Sequence, residues 1–257
     1  MAEQELFFQY YALQIEEMKI IRESLVEGAK RAHGVTIIID VFRAFTVTPL
    51  FFHLGAEKVI LVDHPEEAFS LKSKNNDIIL AGEIDEQLIP GFDLGNSPSE
   101  LILKSPGYLN GKVVVQRTTA GVNGAIKAVS QAEVAILGSY VMAKAISRYI
   151  LSQNSLPEVV TLVAMGRRGV SRAPEDEGCA DYLEHLLTGS HYNHLETLER
   201  IVFGETAQKF VRGDRVYLPR EDPLFCLQRD LFDFVLIVGK ERGQVKVTKK
   251  ESVVRSE

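Results

Sequence analysis

Six short apolar runs set the terms for this chain: VTIII at 35–39, KVILV at 58–62, DIILA at 77–81, KVVVQ at 112–116, EVAIL at 133–137 and EVVTLVAM at 158–165. Valine, isoleucine and leucine follow one another in them without polar alternation. A strand with one wet face alternates; a strand apolar throughout is covered on both faces. Helix-like stretches lie between many of the runs. PEEAFSLKSK at 65–74 and SYVMAKAISRYILSQ at 139–153 are the clearest, with Ser139 the expected N-cap of the second. Strands alternating with helices predict an α/β fold with a largely parallel sheet flanked by helices on both faces. From about 176 to 231 the pattern is mostly helical, and FVLIVGKERGQVKV at 234–247 reads as two strands around a glycine-containing turn. The segment 82–100, GEIDEQLIPGFDLGNSPSE, keeps no period; a long irregular stretch inside a compact domain is commonly functional. With no repeat and no linker-like composition, residues 1–257 are expected to form one domain, with a helical C-terminal lobe from about 176.

Composition excludes several classes. A formal net charge of −6 argues against a general nucleic-acid surface, which needs clustered lysine and arginine. Two cysteines, Cys179 and Cys226, make neither a disulfide framework nor a metal-ligand spacing. The opening MAEQELFFQYYALQ has acids where a secretory leader carries bases, and no apolar run approaches the ~20 residues of a membrane helix. The expectation is a cytoplasmic protein without membrane or nucleic-acid partners.

Ligands of open α/β sheets bind beyond the carboxyl ends of the strands. Five expected strand ends carry chemistry: Asp40 and Arg43; Gly82 and Glu83; Arg117, Thr118, Thr119, Ala120 and Gly121; Gly138 and Ser139; and Gly166, Arg167 and Arg168 ahead of APEDEGC. Each has a plain alternative. Asp40 could cap the next helix, the arginines could be solvated, and Glu175 to Glu177 could simply favour a helix N-terminus through the macrodipole. Two hydroxyls and a glycine at a helix start also suit a phosphate cradle. Cys179 reads as a packing residue and His191 and His194 as surface residues. Repetition of such groups at one sheet edge points to a site for an anion and a metal.

Together these segments resemble the 2-phosphosulfolactate phosphatase (ComB-like) family. The motifs that carry the resemblance are IIIDVFRAFTVT for D-x-x-R-A-[ST]-[ST], AGEIDEQLIPGFDLGNSP for G-E leading into G-F-D-x-[GS]-N-S-P, RTTAG for T-T-N-G, Gly138–Ser139, and the acidic pair in APEDEGCADYL. The resemblance covers roughly residues 33 to 250. It implies a Mg²⁺-dependent phosphatase that converts 2-phospho-3-sulfolactate to 3-sulfolactate on the route to coenzyme M. Asp40, Arg43 and Glu83 are then the catalytic candidates. Asp40, Glu83 and Asp176 are the metal candidates, and Thr118, Thr119, Gly121, Ser139, Arg167 and Asn96 would bind the small phosphorylated or sulfonated acid. The attacking group is either a water or Asp40 itself. Haloacid-dehalogenase phosphatases use D-x-D after their first strand, and here the third position is Phe42. Three positions depart from the family pattern: Ala120 for asparagine, Ile84 for arginine, and Phe45 for a hydroxyl residue, each expected to remove a polar group near the site. They leave open a different phosphorylated carboxylic acid as substrate, or a non-catalytic anion-binding protein. The C-terminal lobe and LFFQYY, near the start of the chain, are candidates for a homodimer interface.

Overall fold

The computed structural model describes residues 17–213 and 215–252; LFFQYY lies outside them. The doubly apolar runs are strands, as their pattern requires. β1 (Lys19–Ser24), β8 (Val159–Ala164), β2 (Val35–Ile39) and β7 (Val134–Gly138) lie side by side in that order, all parallel. β3 (Lys58–Leu61), β6 (Val113–Arg117) and β4 (Ile79–Ile84) form a second parallel block, with two-residue β5 (Gln87–Leu88) antiparallel at its edge. Between the blocks stands a hairpin of β9 (Phe234–Glu241) and β10 (Gln244–Glu251), with β9 against β7 and β10 against β3. The result is one mixed, mostly parallel ten-stranded sheet.

The hairpin has a geometric consequence. The steps from β7 to β9, β10 and β3 are all antiparallel, so the second block runs opposite to the first along the ladder. In a flat sheet the two sets of carboxyl ends would lie on opposite edges. Sheets twist by roughly 20–25° per neighbour, so the steps from β2 to β6 accumulate roughly 100–125°. That rotation swings the end of β6 back toward the end of β2. A Cβ placed on Gly121, just past β6, would lie 2.6 Å from Oδ2 of Asp40, just past β2.

Two helices fill the curl. α2 (Ala44–His53) is apolar nearly all round and buried along most of its length. α5 (Gly121–Ala128) touches β2 and β7 of one block and β6 of the other. α3 (Pro65–Lys74), with proline in its first turn, covers a smaller core around Ile60, Leu80, Phe92 and Val115. The helical C-terminal portion comprises α7 (Pro174–Thr188), α8 (His194–Val202), α9 (Glu205–Arg212) and α10 (Asp222–Cys226). The remaining helices are α1 (Leu25–Arg31), α4 (Pro98–Ile102) and α6 (Ala143–Leu151).

Two local expectations need correction. Ser139 stands at the N-cap position of a 3-10 turn, Tyr140–Met142, that leads into α6 at Ala143, but its side chain caps nothing: the hydroxyl donates to the Phe45 carbonyl at 2.7 Å. Segment 82–100 is less irregular than its sequence suggests. It holds the end of β4, β5 and the start of α4, Leu94 bridges Ala81, and Ser97 caps α4 by accepting from the Glu100 amide. Among the described residues no helix is long and apolar enough to cross a membrane.

Candidate active site

Four acids converge where the strand blocks meet. Asp40 ends β2 and is nearly buried; its Oδ1 accepts from the Ala44 amide at 3.1 Å. The candidate catalyst therefore also receives the first amide of α2, whose N-cap position is Arg43. Asp176, in the first turn of α7, accepts from the Val41 amide at 2.8 Å and the Gly166 amide at 2.7 Å, tying the ends of β2 and β8 together. Glu83, at the end of β4, accepts from the Thr119 amide at 2.6 Å, the Thr119 hydroxyl at 3.0 Å and the Glu86 amide at 2.7 Å. Glu175 is buried, and its Oε2 has no hydrogen-bond partner among the described residues.

Gly82 makes the placement of Glu83 possible. Its φ is +148°, and a Cβ there would lie 1.9 Å from the Arg117 carbonyl oxygen. Only glycine lets β4 pass β6 so closely and still turn the next side chain into the cleft. The GFDLGNSP segment holds the same edge. Asp93 accepts from the Leu80 amide at 2.8 Å, the Gly82 amide donates to the Leu94 carbonyl, and Phe92 is buried edge-on against Phe69. Asn96 then reaches the cleft.

The cleft is narrow, with a cavity volume of about 50 Å³, and opens to solvent. Asp40, Glu83, Glu175 and Asp176 line it together with Arg43, Asn96, Thr119, Ala120, Arg167 and Phe210. Arg43 is buried and donates to Asp222 at 2.8 Å and to the carbonyls of Tyr217 and Glu86, each at 3.2 Å. Its guanidinium lies 5.5 Å from the Phe210 ring centre. At the rim, Arg167 pairs with Glu205, Arg168 with Asp85, and Lys209 with Glu86.

Most candidates meet here; three do not line the cleft. Ser139 is fully buried with its hydroxyl committed to Phe45, because the strand end it follows faces the core under α2. Thr118 uses its hydroxyl to accept from the Val122 amide at the start of α5. Gly121 gives its space to Asp40, and its amide favours the Asp40 charge. The expected phosphate cradle thus holds the protein's own carboxylates, Asp40 through Gly121 and Glu83 through Thr119. The departures sort likewise. Phe45 is fully buried and Ile84 is exposed, neither lining the cleft, while Ala120 does line it. Cys179 is buried in the core, and burial pushes its thiol pKa well up, as suits packing.

Two contributors are absent from the sequence candidates. Glu175 reads in sequence as one of three acids that could serve the helix dipole, and no local pattern separates it from Glu177, which instead accepts from the Ser24 hydroxyl. Asp222 lies far along the chain from every strand end of the site, where no spacing could connect it to Arg43.

Crowding of buried acids shifts their titration. Burial, with the charge of Glu83 beside it, pushes Asp40 up to about 7 despite the Ala44 and Gly121 amides. Burial and the Asp40 charge push Glu175 up to about 7, with Lys209 and Arg167 pulling the other way. Burial, Asp40 and Glu175 raise Asp176 well above the usual carboxylate range. Among the described residues no three acid, histidine or cysteine side chains are close enough to grip a cation together as they stand. Mg²⁺ needs only one or two carboxylates, taking water and substrate phosphate for the rest. Hard oxygen donors and the unpartnered Glu175 Oε2 fit that ion.

Comparison with known proteins identifies the family. The family described as 2-phosphosulpholactate phosphatase matches residues 20–241. A protein of Bacillus subtilis (strain 168) named "Probable 2-phosphosulfolactate phosphatase" is 32% identical over 212 residues, covering 82% of this chain and 89% of its own. A Clostridium perfringens (strain SM101 / Type A) protein of the same name is 28% identical over 242 residues, covering 88% and 94%. Another, from Caldanaerobacter subterraneus subsp. tengcongensis, is 40% identical over 165 residues, covering 63% and 61%. The match spans both strand blocks and the C-terminal helices, and the chain belongs to the 2-phosphosulpholactate phosphatase family.

Proposed function

We propose that the protein is a Mg²⁺-dependent phosphatase that hydrolyses a small phosphorylated acid, with 2-phosphosulfolactate as substrate and 3-sulfolactate and phosphate as products. One observation carries this: a floor of buried carboxylates, one with an unpartnered oxygen, beneath a wall and rim of arginines. A site that only held anions would gain nothing from acids at its floor. Acids at the floor suit a cation, and arginines suit phosphate and sulfonate through their planar fork.

One or two of the carboxylates Asp40, Glu83, Glu175 and Asp176 would hold Mg²⁺ directly and the others through water; the ion when bound would neutralise phosphoryl oxygens and acidify water. The chain's own groups do the rest. Arg43 and Arg167 draw in the two anionic groups of the substrate. Asp40 orients a water against phosphorus and accepts its proton. Phe42 and Phe210, packed edge to face at 5.6 Å, form an apolar wall that limits bulk water. Ala120 is the departure that lines the cleft, and it favours testing carboxylate analogues beside the sulfonate. Phosphate release from a panel of small phosphorylated acids, sulfonated and carboxylated, tests the assignment. The expectation is highest kcat/KM on 2-phosphosulfolactate. Preference for a carboxylated acid would reassign the substrate, and release from none would remove the activity.

A further inference from the structure

Asp222 is fully buried, contributes nothing to the cleft lining, and binds two segments distant from it in the chain. Its Oδ2 takes Arg43 Nη1 at 2.8 Å. Its Oδ1 takes the Ser97 hydroxyl at 2.7 Å, the Ser99 amide at 3.1 Å and the Ser99 hydroxyl at 2.5 Å. The pair with Arg43 is closed off from solvent, with side chains 4% and 0% exposed. A buried ion pair of this kind is poor evidence of stabilisation, because desolvation offsets most of its attraction. Its value lies in orientation.

The donors of Arg43 can be followed one by one. A guanidinium has five N–H groups. Nη1 spends its two on Asp222 and on the Tyr217 carbonyl. Nη2 spends one on the Glu86 carbonyl. Two remain without a partner among the described residues: Nε–H and the second Nη2–H. In a planar guanidinium those nitrogens share one side, and that side is the fork that grips two oxygens of one tetrahedral anion.

We propose that Asp222 is a positioning residue: it loads the far side of the Arg43 guanidinium onto the protein and leaves the Nε/Nη2 side for one anionic group of the substrate, phosphate or sulfonate. The same carboxylate fixes the Ser97–Ser99 turn, so it also sets the position of Asn96 at the cleft. This rests on the anion-binding reading of the cleft. Carboxylates hold the amides around Thr119 and Gly121, which leaves Arg43 as a buried donor for an incoming anion.

Calorimetry with inorganic phosphate and, separately, methanesulfonate tests it without requiring turnover, in wild type, Asp222→Asn, Arg43→Gln and the double variant. Losing one bidentate, charge-assisted contact is expected to weaken one of the two anions about ten-fold or more in Asp222→Asn. The anion affected identifies the group that Arg43 receives. In the Arg43→Gln background, Asp222→Asn should add nothing. Equal weakening in both backgrounds, or unchanged affinities in Asp222→Asn, overturns the proposal while leaving the phosphatase assignment intact. Wild type that binds neither anion overturns both. If Asp222→Asn does not fold, Ser97→Ala/Ser99→Ala keeps the ion pair and the residue-99 amide bond while removing both hydroxyl donors to Oδ1. It should weaken the same anion less than Arg43→Gln does, and full wild-type affinity there would count against a shared Asp222 anchor.

Discussion

Glu175→Gln should stabilise the metal-free protein at high pH and not at low pH. Glu175 titrates at about 7 in the folded chain against 4.5 for an unperturbed glutamate, so the folded state keeps its proton to higher pH than the unfolded state does. The associated stability is complete well below pH 4.5 and is lost as pH rises through about 7. At about 1.4 kcal/mol per pH unit of displacement, wild type loses roughly 2 to 3 kcal/mol between pH 5 and 8.5 through this group alone. Glutamine carries no ionisable proton and leaves the remaining acids with one neighbour fewer. Any cost of its unpartnered amide is common to both pH values and cancels. Urea unfolding of both proteins with chelator present, at pH 5 and 8.5, reads the difference. The variant should gain roughly 2 to 3 kcal/mol on wild type across that interval, or about 4 to 12 °C in Tm for a chain of this size. Parallel pH profiles, or a variant that loses ground as pH rises, would show that Glu175 is not the strained buried acid described above.

Other substitutions follow from the same geometry. Ser139→Ala should cost about 1 kcal/mol of stability, the usual worth of a buried hydroxyl bond, with KM and kcat unchanged; a raised KM would return Ser139 to the substrate. Gly82→Ala places a Cβ 1.9 Å from the Arg117 carbonyl, so unfolding should shift to lower urea and turnover should fall with it; normal values of both would disprove the close approach at the end of β4. Ala120→Asn restores the family's amide to the cleft and should change the preference between sulfonated and carboxylated phosphoacids, read as the ratio of kcat/KM; an unchanged ratio would detach position 120 from specificity.

What the sequence discloses here depends on how local the cause is. β2 is legible because Ile37, Ile38 and Ile39 are apolar on both faces, and α3 because proline and two glutamates open it and lysines close it. β1 hides, since KIIRES at the sheet edge has two apolar residues among polar ones. The reversal between the strand blocks is also invisible, because it comes from which strands the last hairpin joins. Asp40 and Glu83 follow from the rule that chemistry lies past strand ends. Ser139 obeys the same rule and still points into the core, because side-chain direction at a strand end is set by tertiary packing. Glu175 and Glu177 look alike in sequence; helix rotation alone sends one into the cleft and the other toward Ser24 and Arg172.

Phosphate release from 2-phosphosulfolactate, followed with Mg²⁺, after exhaustive chelation, and after Mg²⁺ is restored, bears most directly on the proposed chemistry. Turnover should be present, abolished and recovered in that order, and Asp40→Asn should remain folded and inactive throughout. Undiminished turnover in chelator, or wild-type rates from Asp40→Asn, would contradict it.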